Sequence, residues 1–316
     1  MYRTLLPAAD GVDIPLCEWP SDGPPRAVVL ISHGMSEHAA RYDRFAGALT
    51  AAGYAVYAHD HRGHGDAPQP RGFFAADDGW RKVVEDIETV RRHAAERHPG
   101  LPIVLFGHSM GSFIARAYFL RHGKQLSGLM LSSTGYRQRP LAKTLGALAR
   151  WLGRRGGGDK PSRLMASLVF GGFNLGFPPW RTAMEWLSRD RAEVDAYLAD
   201  PRCGFDPAPG LWADLFAGIV EMENGEAAGT GLNRRCAILL FAGSRDPVSL
   251  GRLALGQLEI RYRDAGVLDL QSKVYPGGRH EMLNEINRAE VESDLLAWLD
   301  AKTAVSPTAV AEPVHA

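Results

Sequence analysis

Short apolar runs recur along the first half of the chain and return in its last third, each bounded by turn-forming residues. Runs of this length without polar alternation are typical of strands buried on both faces of a sheet. Between several of these runs, apolar residues recur at the spacing of a helix. Strands that alternate with helices predict an α/β fold, with a mostly parallel central sheet and helices on both of its faces. The predicted strands span residues 27–32, 54–59, 101–106, 126–132 and 237–242, and the predicted helices span residues 42–52, 80–98 and 112–122.

The first twenty residues predict an antiparallel addition to this sheet. The segment TLLPAADGVDIPLCEW has a turn signal at Asp10-Gly11 between two largely apolar stretches. An Asp-Gly pair between such stretches is typical of a β-hairpin. We therefore expect a hairpin at the edge of the sheet.

The alternation of strands and helices is interrupted in the second half of the chain. It stops after Ser133 and resumes at Cys236. We interpret residues 135–235 as a helical cap inserted into a core formed by residues 1–134 and 236–302. The segment TAVSPTAVAEPVHA, residues 303–316, consists mainly of small residues and prolines and is predicted to be a disordered tail.

Composition and charge narrow the class of protein. Of the 316 residues, 45% are hydrophobic, which is enough to build a sizeable core. Lys and Arg number 36, as do Asp and Glu, so the formal net charge is zero and nothing favours nucleic acid as a partner. No run is long and apolar enough to span a membrane, and the N-terminal segment lacks the layout of a signal peptide. We expect a soluble, cytoplasmic protein, and its oligomeric state is not readable from these features.

The cysteines give no sign of a disulfide framework. Cys17, Cys203 and Cys236 are odd in number, scattered along the chain and without CxxC spacing. This usage is typical of a reducing compartment and does not favour a structural zinc site. We expect small buried thiols.

The segment LPIVLFGHSMG carries the strongest chemical signal in the chain. It places Ser109 between Gly107 and Gly111, after a predicted strand and before a predicted helix. This context is what a nucleophile elbow requires, because a sharp turn holds the serine in a strained backbone conformation and raises its hydroxyl above the sheet. The two glycines are needed because a side chain at either position would crowd the neighbouring backbone. The pattern predicts Ser109 as a nucleophile.

A serine hydroxyl is a weak nucleophile, so it needs a base and a group that orients the base. The strand segment AILLFAGSRD ends at Asp246, and the segment LQSKVYPGGRH ends at His280. Both residues are expected at the carboxyl ends of parallel strands, where open α/β sheets bind ligands. The chain order serine, aspartate, histidine is that of the α/β-hydrolases. We therefore predict Ser109, Asp246 and His280 as a catalytic triad.

Acyl transfer also requires hydrogen-bond donors for the oxyanion. One donor is the amide of the residue after the nucleophile, Met110. The second is expected from the loop after the first buried strand, where Gly34 allows the turn that presents the Met35 amide. Only the amides are required, so the two methionine side chains are expected to shape the substrate site.

Taken together, these segments resemble the monoacylglycerol lipase and lysophospholipase-like branch of the α/β-hydrolases, of the serine aminopeptidase S33 type. The resemblance rests on HGMSEHAARY, AHDHRGHG, GHSMG, SRDPV and GGRHEMLNE, which occur in this order. It implies Ser109 as nucleophile, with Asp246 and His280 as its partners and the Met35 and Met110 amides as oxyanion hole. It covers about residues 5–300 but is specific only in the sheet domain, because the cap offers little motif to match. It implies a serine ester hydrolase that uses no cofactor and no metal.

Two histidine-rich stretches raise metal catalysis as an alternative. Residues 59–64, HDHRGH, nearly match the HxHxDH pattern of binuclear zinc hydrolases, but Gly63 stands in place of the aspartate ligand. The stretch from His33 to His38 is one residue too long for an HxxEH helix. We therefore expect no metal site. The polar residues of these stretches are expected to anchor loops beneath the active site through hydrogen bonds, notably Glu37, Asp60 and Arg62.

Two further alternatives remain open. A catalytically inactive α/β-hydrolase that serves as a binding protein usually lacks a triad member, and here all three are present. A peptidase or amidase of the same fold needs a site for the amino terminus of its substrate. Acidic residues in the cap that could supply such a site are Glu185, Asp195, Asp200 and Glu221, although a solvated helix face is the favoured interpretation.

The cap sequence indicates the class of substrate. Residues 164–180 and 211–220 are rich in Leu, Phe and Trp. Apolar walls over a serine favour an acyl chain over a sugar or a charged substrate. We expect hydrolysis, through an acyl-enzyme, of a carboxylic ester with a medium or long acyl chain and a small polar head group, such as a monoacylglycerol or a lysophospholipid.

Residues 137–160 raise the possibility of membrane contact. They hold seven basic side chains against one acidic side chain, and four leucines share one predicted helical face: Leu141, Leu145, Leu148 and Leu152. A basic amphipathic helix can lie in a membrane interface. The favoured alternative is a cap helix that packs these leucines on its own domain.

Overall fold

One eight-stranded sheet organises the fold, and the computed structural model describes the chain from residue 1 to residue 304. The strands are β1 (Tyr2–Pro7), β2 (Asp13–Trp19), β3 (Ala27–Ser32), β4 (Tyr54–His59), β5 (Ile103–His108), β6 (Gly128–Ser132), β7 (Ala237–Gly243) and β8 (Leu270–Tyr275). They lie side by side in the order β1-β2-β4-β3-β5-β6-β7-β8. The pairs β1–β2 and β2–β4 are antiparallel, and every other neighbouring pair is parallel. The predicted α/β fold with a mostly parallel sheet is confirmed.

Helices cover both faces of this sheet. Those of the described residues are α1 (Asp43–Ala51), α2 (Gly79–Arg97), α3 (Met110–His122), α4 (Arg139–Arg154), α5 (Arg163–Phe170), α6 (Arg191–Ala199), α7 (Pro209–Ala228), α8 (Arg252–Asp264) and α9 (Arg288–Thr303). Side chains alternate between the two faces along β3. Val28 and Leu30 pack in the core with α2, α3 and α8, whereas Val29 and Ile31 pack in the core with α1 and α9.

The predicted hairpin forms the antiparallel edge of the sheet. Leu5 of β1 pairs with Pro15 of β2, and Leu16 of β2 pairs with His59 of β4. The connecting turn has Gly11 at φ 77°, a conformation that a residue with a side chain adopts only with strain. The hairpin prediction is confirmed.

The strand that leads to the candidate nucleophile lies two residues later than the apolar run suggested. It begins at Ile103 because the preceding Pro102 has no N–H to contribute to a ladder. It continues through Gly107 and His108, which pair with Ser32 of β3 and Ser132 of β6. The strand therefore ends directly at Ser109.

The inserted segment between β6 and β7 contains α4, α5, α6 and α7. Contrary to expectation, the closest packing of α4 uses small residues: Ala142, Gly146 and Ala149 are its buried positions. A Cβ atom on Gly146 would lie 3.1 Å from Cβ of Phe216 in α7, so the absence of a side chain allows the two helices to approach closely. The leucine face of α4 lies at the margin of this contact. Leu141 is 61% exposed, whereas Leu145, Leu148 and Leu152 are only half-buried against the core.

A buried ion pair joins the inserted segment to the sheet domain. Arg116 of α3 donates two hydrogen bonds to the carboxylate of Glu226 in α7, at 2.9 and 2.7 Å. Tyr262 of α8 donates to the same carboxylate at 2.7 Å, and Arg116 also donates to the carbonyl of Gly135. Both charged side chains are fully buried. The pair links three helices and the start of the insertion, and sequence reasoning did not foresee it.

The C-terminal helix extends one residue into the predicted tail. Thr303, the first residue of the predicted tail, is the last residue of α9 and is buried, with its hydroxyl donating to the carbonyl of Leu299. The rest of the predicted tail, from residue 305 to residue 316, lies outside the described residues. In the part of the chain that the structure describes, the helices are too short or too polar to cross a bilayer. All three cysteines are free thiols, buried at Cys17 and Cys236 and half-buried at Cys203.

Candidate active site

Ser109 stands at the tight turn between β5 and α3. Its backbone has φ 51° and ψ −120°, a combination that costs a residue with a side chain about 1–3 kcal/mol. Three hydrogen bonds hold this conformation. The Ser109 amide donates to the carbonyl of Ser132 at 3.0 Å, and Ser112 donates from its amide and its hydroxyl to the Ser109 carbonyl. The strained turn leaves the Ser109 side chain in a cavity at the carboxyl end of the sheet.

The two glycines around Ser109 leave room for backbone that passes very close to them. A Cβ atom on Gly107 would lie 2.7 Å from the carbonyl oxygen of Gly111. A Cβ atom on Gly111 would lie 2.1 Å from the carbonyl oxygen of Ser32 and 2.4 Å from that of His33. These distances are far below van der Waals contact. A side chain at Gly107 would push β5 away from α3, and one at Gly111 would push α3 away from the end of β3.

His280 and Asp246 form a buried hydrogen-bonded pair. Nδ1 of His280 lies 2.7 Å from Oδ1 of Asp246. The carboxylate of Asp246 also accepts the backbone amides of Val248 and Ser249, at 3.0 and 3.2 Å. These two amides fix the orientation of the carboxylate, which in turn orients the imidazole. With Nδ1 donating to a carboxylate, Nε2 is available as a base.

The core and the inserted segment both hold His280. From the core side, the hydroxyl of Ser133 donates to the carbonyl of His280 at 2.6 Å. From the inserted segment, the carbonyl of Trp186 accepts the His280 amide at 3.3 Å. The imidazole ring lies 4.8 Å from the ring of Trp186 and 4.9 Å from the ring of His108, measured between centroids.

Ser109 and His280 line the same cavity. Among the described residues, the Ser109 hydroxyl forms no hydrogen bond with the imidazole, so the structure brings Asp246 and His280 into direct contact and places Ser109 beside them. Catalytic hydrogen bonds of this kind are often long without substrate and shorten in the substrate complex.

The turn after β3 passes directly beside Ser109. A Cβ atom on Gly34 would lie 3.3 Å from Cβ of Ser109, and the next residue, Met35, lines the cavity. Within residues 1–304, neither the Met35 amide nor the Met110 amide donates a hydrogen bond. Met110 is the first residue of α3, where helix amides are unsatisfied and the helix dipole favours negative charge. Two backbone donors are therefore available next to the serine.

Buried charged groups support this turn. Glu37 accepts the amide of Gly34, the hydroxyl of Tyr42 at 3.0 Å and the guanidinium of Arg41 at 2.6 Å. Arg41 also donates two hydrogen bonds of 2.8 Å to Glu281, which follows His280. Burial raises the pKa of Glu37, and the positive charge of Arg41 offsets only part of this rise. Burial also acts to raise the pKa of Glu281, but Arg41 lowers it to about 2.

The remaining polar residues of the two histidine-rich stretches anchor loops, as predicted. The carboxylate of Asp60 accepts the amides of Ala39 and Asp66, at 2.8 and 2.9 Å. Arg62 donates to the carboxylates of Asp10 and Asp86. These contacts tie the loop after β4 to the hairpin, to α2 and to the turn after β3.

Burial lowers the pKa of His33 and His61 well below its usual value, and some ring nitrogens of the buried histidines make local hydrogen bonds. Nε2 of His33 accepts the amide of His61 at 3.0 Å, and Nδ1 of His64 bonds with the carbonyl of Arg62. Burial lowers the pKa of His59 and of His64 to about 4. Their ring nitrogens do not converge on one point as the ligands of a metal would, so far as the described residues extend.

A different set of side chains comes close to metal-binding spacing. Ligand atoms of His38, Asp200 and Cys203 all lie within 4.8 Å of one another. The contacts of Asp200 argue against a cation there, because its carboxylate already bonds His38 at 2.8 Å and the side chain and amide of Arg202. These contacts tie the end of the turn after β3 to the inserted segment.

The four acids considered for a peptide amino terminus all lie outside the lining of the cavity and have cationic partners. Those partners are Arg181 and Arg279 for Glu185, Arg181 for Asp195, Arg202 for Asp200 and Arg121 for Glu221. A fifth acid, Asp206, does line the cavity. Sequence reasoning missed it because Asp206 lies in an irregular segment between α6 and α7 that matches no motif.

The cavity beside Ser109 has mainly apolar walls. Its large apolar lining residues are Met35, Phe170, Met184, Trp186, Leu187, Tyr197 and Phe205. A larger and more open groove shares Phe170, Met184, Trp186 and Asp206 as lining residues and continues to Leu175 and Trp180. The arrangement combines a polar reaction centre with an apolar path leading from it.

Comparison with known proteins places this geometry in context. The family described as serine aminopeptidase, S33, matches residues 23–287. The monoacylglycerol lipase of Mycolicibacterium smegmatis is 32% identical over 292 residues, covering 92% of this chain and 93% of the relative. The human monoglyceride lipase is 29% identical over 323 residues, covering 98% of this chain and 94% of the relative. Among solved structures, a thermostable carboxyl esterase from Bacillus coagulans in complex with glycerol has a TM-score of 0.83 at 28% identity, covering 96% of this chain and 98% of the other.

Proposed function

Because this chain belongs to the serine aminopeptidase S33 family of α/β-hydrolases, we propose that Ser109, Asp246 and His280 are its catalytic triad and that monoacylglycerols are its substrates. The protein is a serine ester hydrolase that acts on lipid-like esters. The main support for these residues is the 2.7 Å distance between Nδ1 of His280 and Oδ1 of Asp246. Ser109, with its strained backbone, lines the same cavity as His280.

In the proposed cycle, Nε2 of His280 takes the proton of the Ser109 hydroxyl as the oxygen attacks the ester carbonyl. Asp246 holds the imidazole in the required tautomer and stabilises its protonated form. The amides of Met35 and Met110 donate to the oxyanion of the tetrahedral intermediate. Protonated His280 then gives its proton to the leaving alcohol, and the acyl group stays on Ser109. Water, activated by His280 in the same way, releases the fatty acid.

The walls of the cavity support an acyl chain as the main binding determinant. Phe170, Met184 and Trp186 lie between the reaction centre and the open groove, so an acyl chain can follow them outward. Burial of apolar surface contributes roughly 0.8 kcal/mol per methylene group. In this proposal, residues 135–235 form a cap over the core of residues 1–134 and 236–302.

The outer surface of the proposed cap combines exposed apolar side chains with basic ones. Leu141 and Trp151 are 61% and 43% exposed, and Leu164, Leu168, Leu175 and Trp180 are also exposed. Helix α4 carries several basic side chains, and Arg154 and Arg155 are exposed at its C-terminal end. Such a surface matches the interface of an anionic bilayer, where apolar side chains enter and basic ones bind head groups. We propose a peripheral contact with membranes through residues 137–160.

Hydrolysis of monoacylglycerols graded by acyl length tests the proposed activity. We expect turnover that increases with chain length in the wild type and falls at least 1000-fold in Ser109→Ala. Full activity of Ser109→Ala would refute the assignment of the nucleophile. Chelation with EDTA is expected to leave the rate unchanged, and loss of activity restored by zinc would favour a metal mechanism instead.

Sedimentation with vesicles tests the membrane contact separately. Wild type is expected to bind anionic vesicles at low salt and to dissociate as salt is added. The variant with Arg154→Glu and Arg155→Glu is expected to lose binding while it retains hydrolysis of a soluble ester. Equal binding by the wild type and this variant would refute the proposed contact surface.

A further inference from the structure

Asp206 is an acidic side chain in the substrate cavity that lacks a partner. It is half-buried in the segment between α6 and α7 and lines the cavity together with Ser109 and His280. Its carboxylate forms neither a hydrogen bond nor an ion pair with any other residue that the structure describes. An unpaired carboxylate next to aromatic side chains is unusual, because burial without a partner costs free energy.

The other charged groups of the cavity do not neutralise Asp206. Three acids line the cavity, Glu37, Asp206 and Glu281, whereas its lining includes neither a lysine nor an arginine. Arg41, behind this wall, binds both Glu37 and Glu281. One cation thus serves two carboxylates, and the charge of Asp206 adds to an environment that is already acidic.

Arginines elsewhere in the inserted segment are engaged with other acids. Arg202 binds Asp200, and Arg181 binds Asp195 and approaches Glu185 at 3.5 Å. The four acids considered for a peptide amino terminus therefore all have cationic partners, whereas Asp206 has none among the described residues and lines the cavity with Ser109.

We propose that Asp206 is a head-group subsite that selects uncharged polyol esters and rejects esters with an anionic head group. This inference rests on the proposed hydrolysis of lipid esters at Ser109 and distinguishes between its two candidate substrate classes. A carboxylate accepts hydrogen bonds from the free hydroxyls of a glycerol ester. A phosphate in the same position carries at least one negative charge, so the carboxylate repels it, and the apolar walls reduce the screening of that repulsion. Monoacylglycerol is thereby preferred over lysophosphatidate.

The test compares two substrates that share one acyl chain and differ only in the phosphate, both kept monomeric in solution. For the wild type, we expect kcat/KM for the monoacylglycerol to exceed that for the lysophosphatidate at least 100-fold. Asp206→Asn is expected to raise kcat/KM for lysophosphatidate about tenfold and to lower the value for monoacylglycerol several-fold, because an amide oxygen accepts hydroxyl hydrogen bonds less strongly than a carboxylate. Added salt is expected to reduce the wild-type ratio of kcat/KM for the monoacylglycerol to that for the lysophosphatidate, and to change the same ratio much less in Asp206→Asn.

Glu221→Gln is the matched control, because Glu221 is also an acid of the inserted segment but binds Arg121 away from the cavity and the groove. It should leave the substrate preference unchanged. If Asp206→Asn does not fold, Asp206→Ser serves the same comparison. An unchanged preference in a folded Asp206 variant, or equal wild-type rates on both substrates, would overturn the head-group subsite while leaving the proposed hydrolysis intact. A wild type that hydrolyses neither ester would overturn both proposals.

Discussion

Nδ1 of His280 lies 2.7 Å from Oδ1 of Asp246, and the same carboxylate binds two amides of its own turn. Asp246 thus positions the base and is itself fixed by the backbone. Asp246→Asn removes the charge and allows the amide to donate, so the imidazole can be held in the wrong tautomer. We expect kcat to fall roughly 1000- to 10,000-fold, with KM for a monoacylglycerol changed less than threefold. A steady-state comparison tests this, and a loss below tenfold would contradict a triad.

The Met35 amide, in the turn after β3, is one of the two proposed hydrogen-bond donors to the oxyanion. Met35→Pro deletes one amide, and loss of an oxyanion donor costs about 100- to 1000-fold in turnover. Met35→Ala keeps the amide and is the matched control, expected to alter chain-length preference more than rate. Circular dichroism checks that both variants fold. Full turnover in folded Met35→Pro would exclude Met35 from the oxyanion hole.

Most of the parallel strands were predictable because they are continuous apolar runs, although β8, LQSKVY, is not, and the triad candidates follow from where the strands end. Other features depend on residues that are distant in sequence. The close contact of α4 with α7 uses Gly146, whereas an amphipathic pattern draws attention to the leucines. Asp206 carries no motif, and only the folded chain shows that it lines the cavity with Ser109. The pairing of Arg116 with Glu226 spans 110 residues, so no local pattern indicates it.

Because Arg116 and Glu226 form a buried ion pair, mutations of the two residues are expected to have coupled effects on the free energy of unfolding. Removing one partner leaves the other charge buried and unpaired, which typically costs about 3–5 kcal/mol. We therefore expect Glu226→Gln and Arg116→Met each to lower the free energy of unfolding by an amount in this range. The double variant Arg116→Met with Glu226→Gln is expected to lose less stability than the sum of the two single losses, because neither charge is then left buried and unpaired. Urea denaturation measures all three, and simple additivity of the two losses would contradict a coupled buried pair.

Asp214 of α7 predicts a dependence of stability on pH. Its carboxylate lies against the start of α2, so close that a Cβ atom on Gly79 would clash with it. Burial, with the nearby charge of Asp78, raises the pKa of Asp214 to about 7. The folded state therefore holds this proton more tightly than the unfolded state, whose pKa is near 3.8. Its stabilising contribution is complete below pH 3.8 and is lost as pH rises toward 7 and above.

Asp214→Asn cannot ionise and is expected to remove this pH dependence. At pH 8 we expect it to raise the free energy of unfolding by about 2 kcal/mol, since one pKa unit corresponds to ~1.4 kcal/mol and solvent screens part of the effect. At pH 4 the variant and the wild type should be nearly equal. Urea denaturation at both pH values measures the difference, with Glu221→Gln, which changes an exposed acid of the same helix, as control. Equal free energies of unfolding for the wild type and Asp214→Asn at pH 8 would show that ionised Asp214 does not destabilise the folded state.

The contact of the inserted segment with His280, the proposed base, restricts how enzymes of this architecture can be recombined. Trp186 accepts the His280 amide and packs on its ring, and the adjacent Leu187 accepts the amide of Glu281 at 2.8 Å. The segment proposed to shape substrate choice is therefore also part of the scaffold that holds His280. A chimaera that exchanges this whole segment between relatives would disturb His280 even with all three triad residues retained. Grafts that keep residues 186–188 and exchange only the outer helices preserve that support.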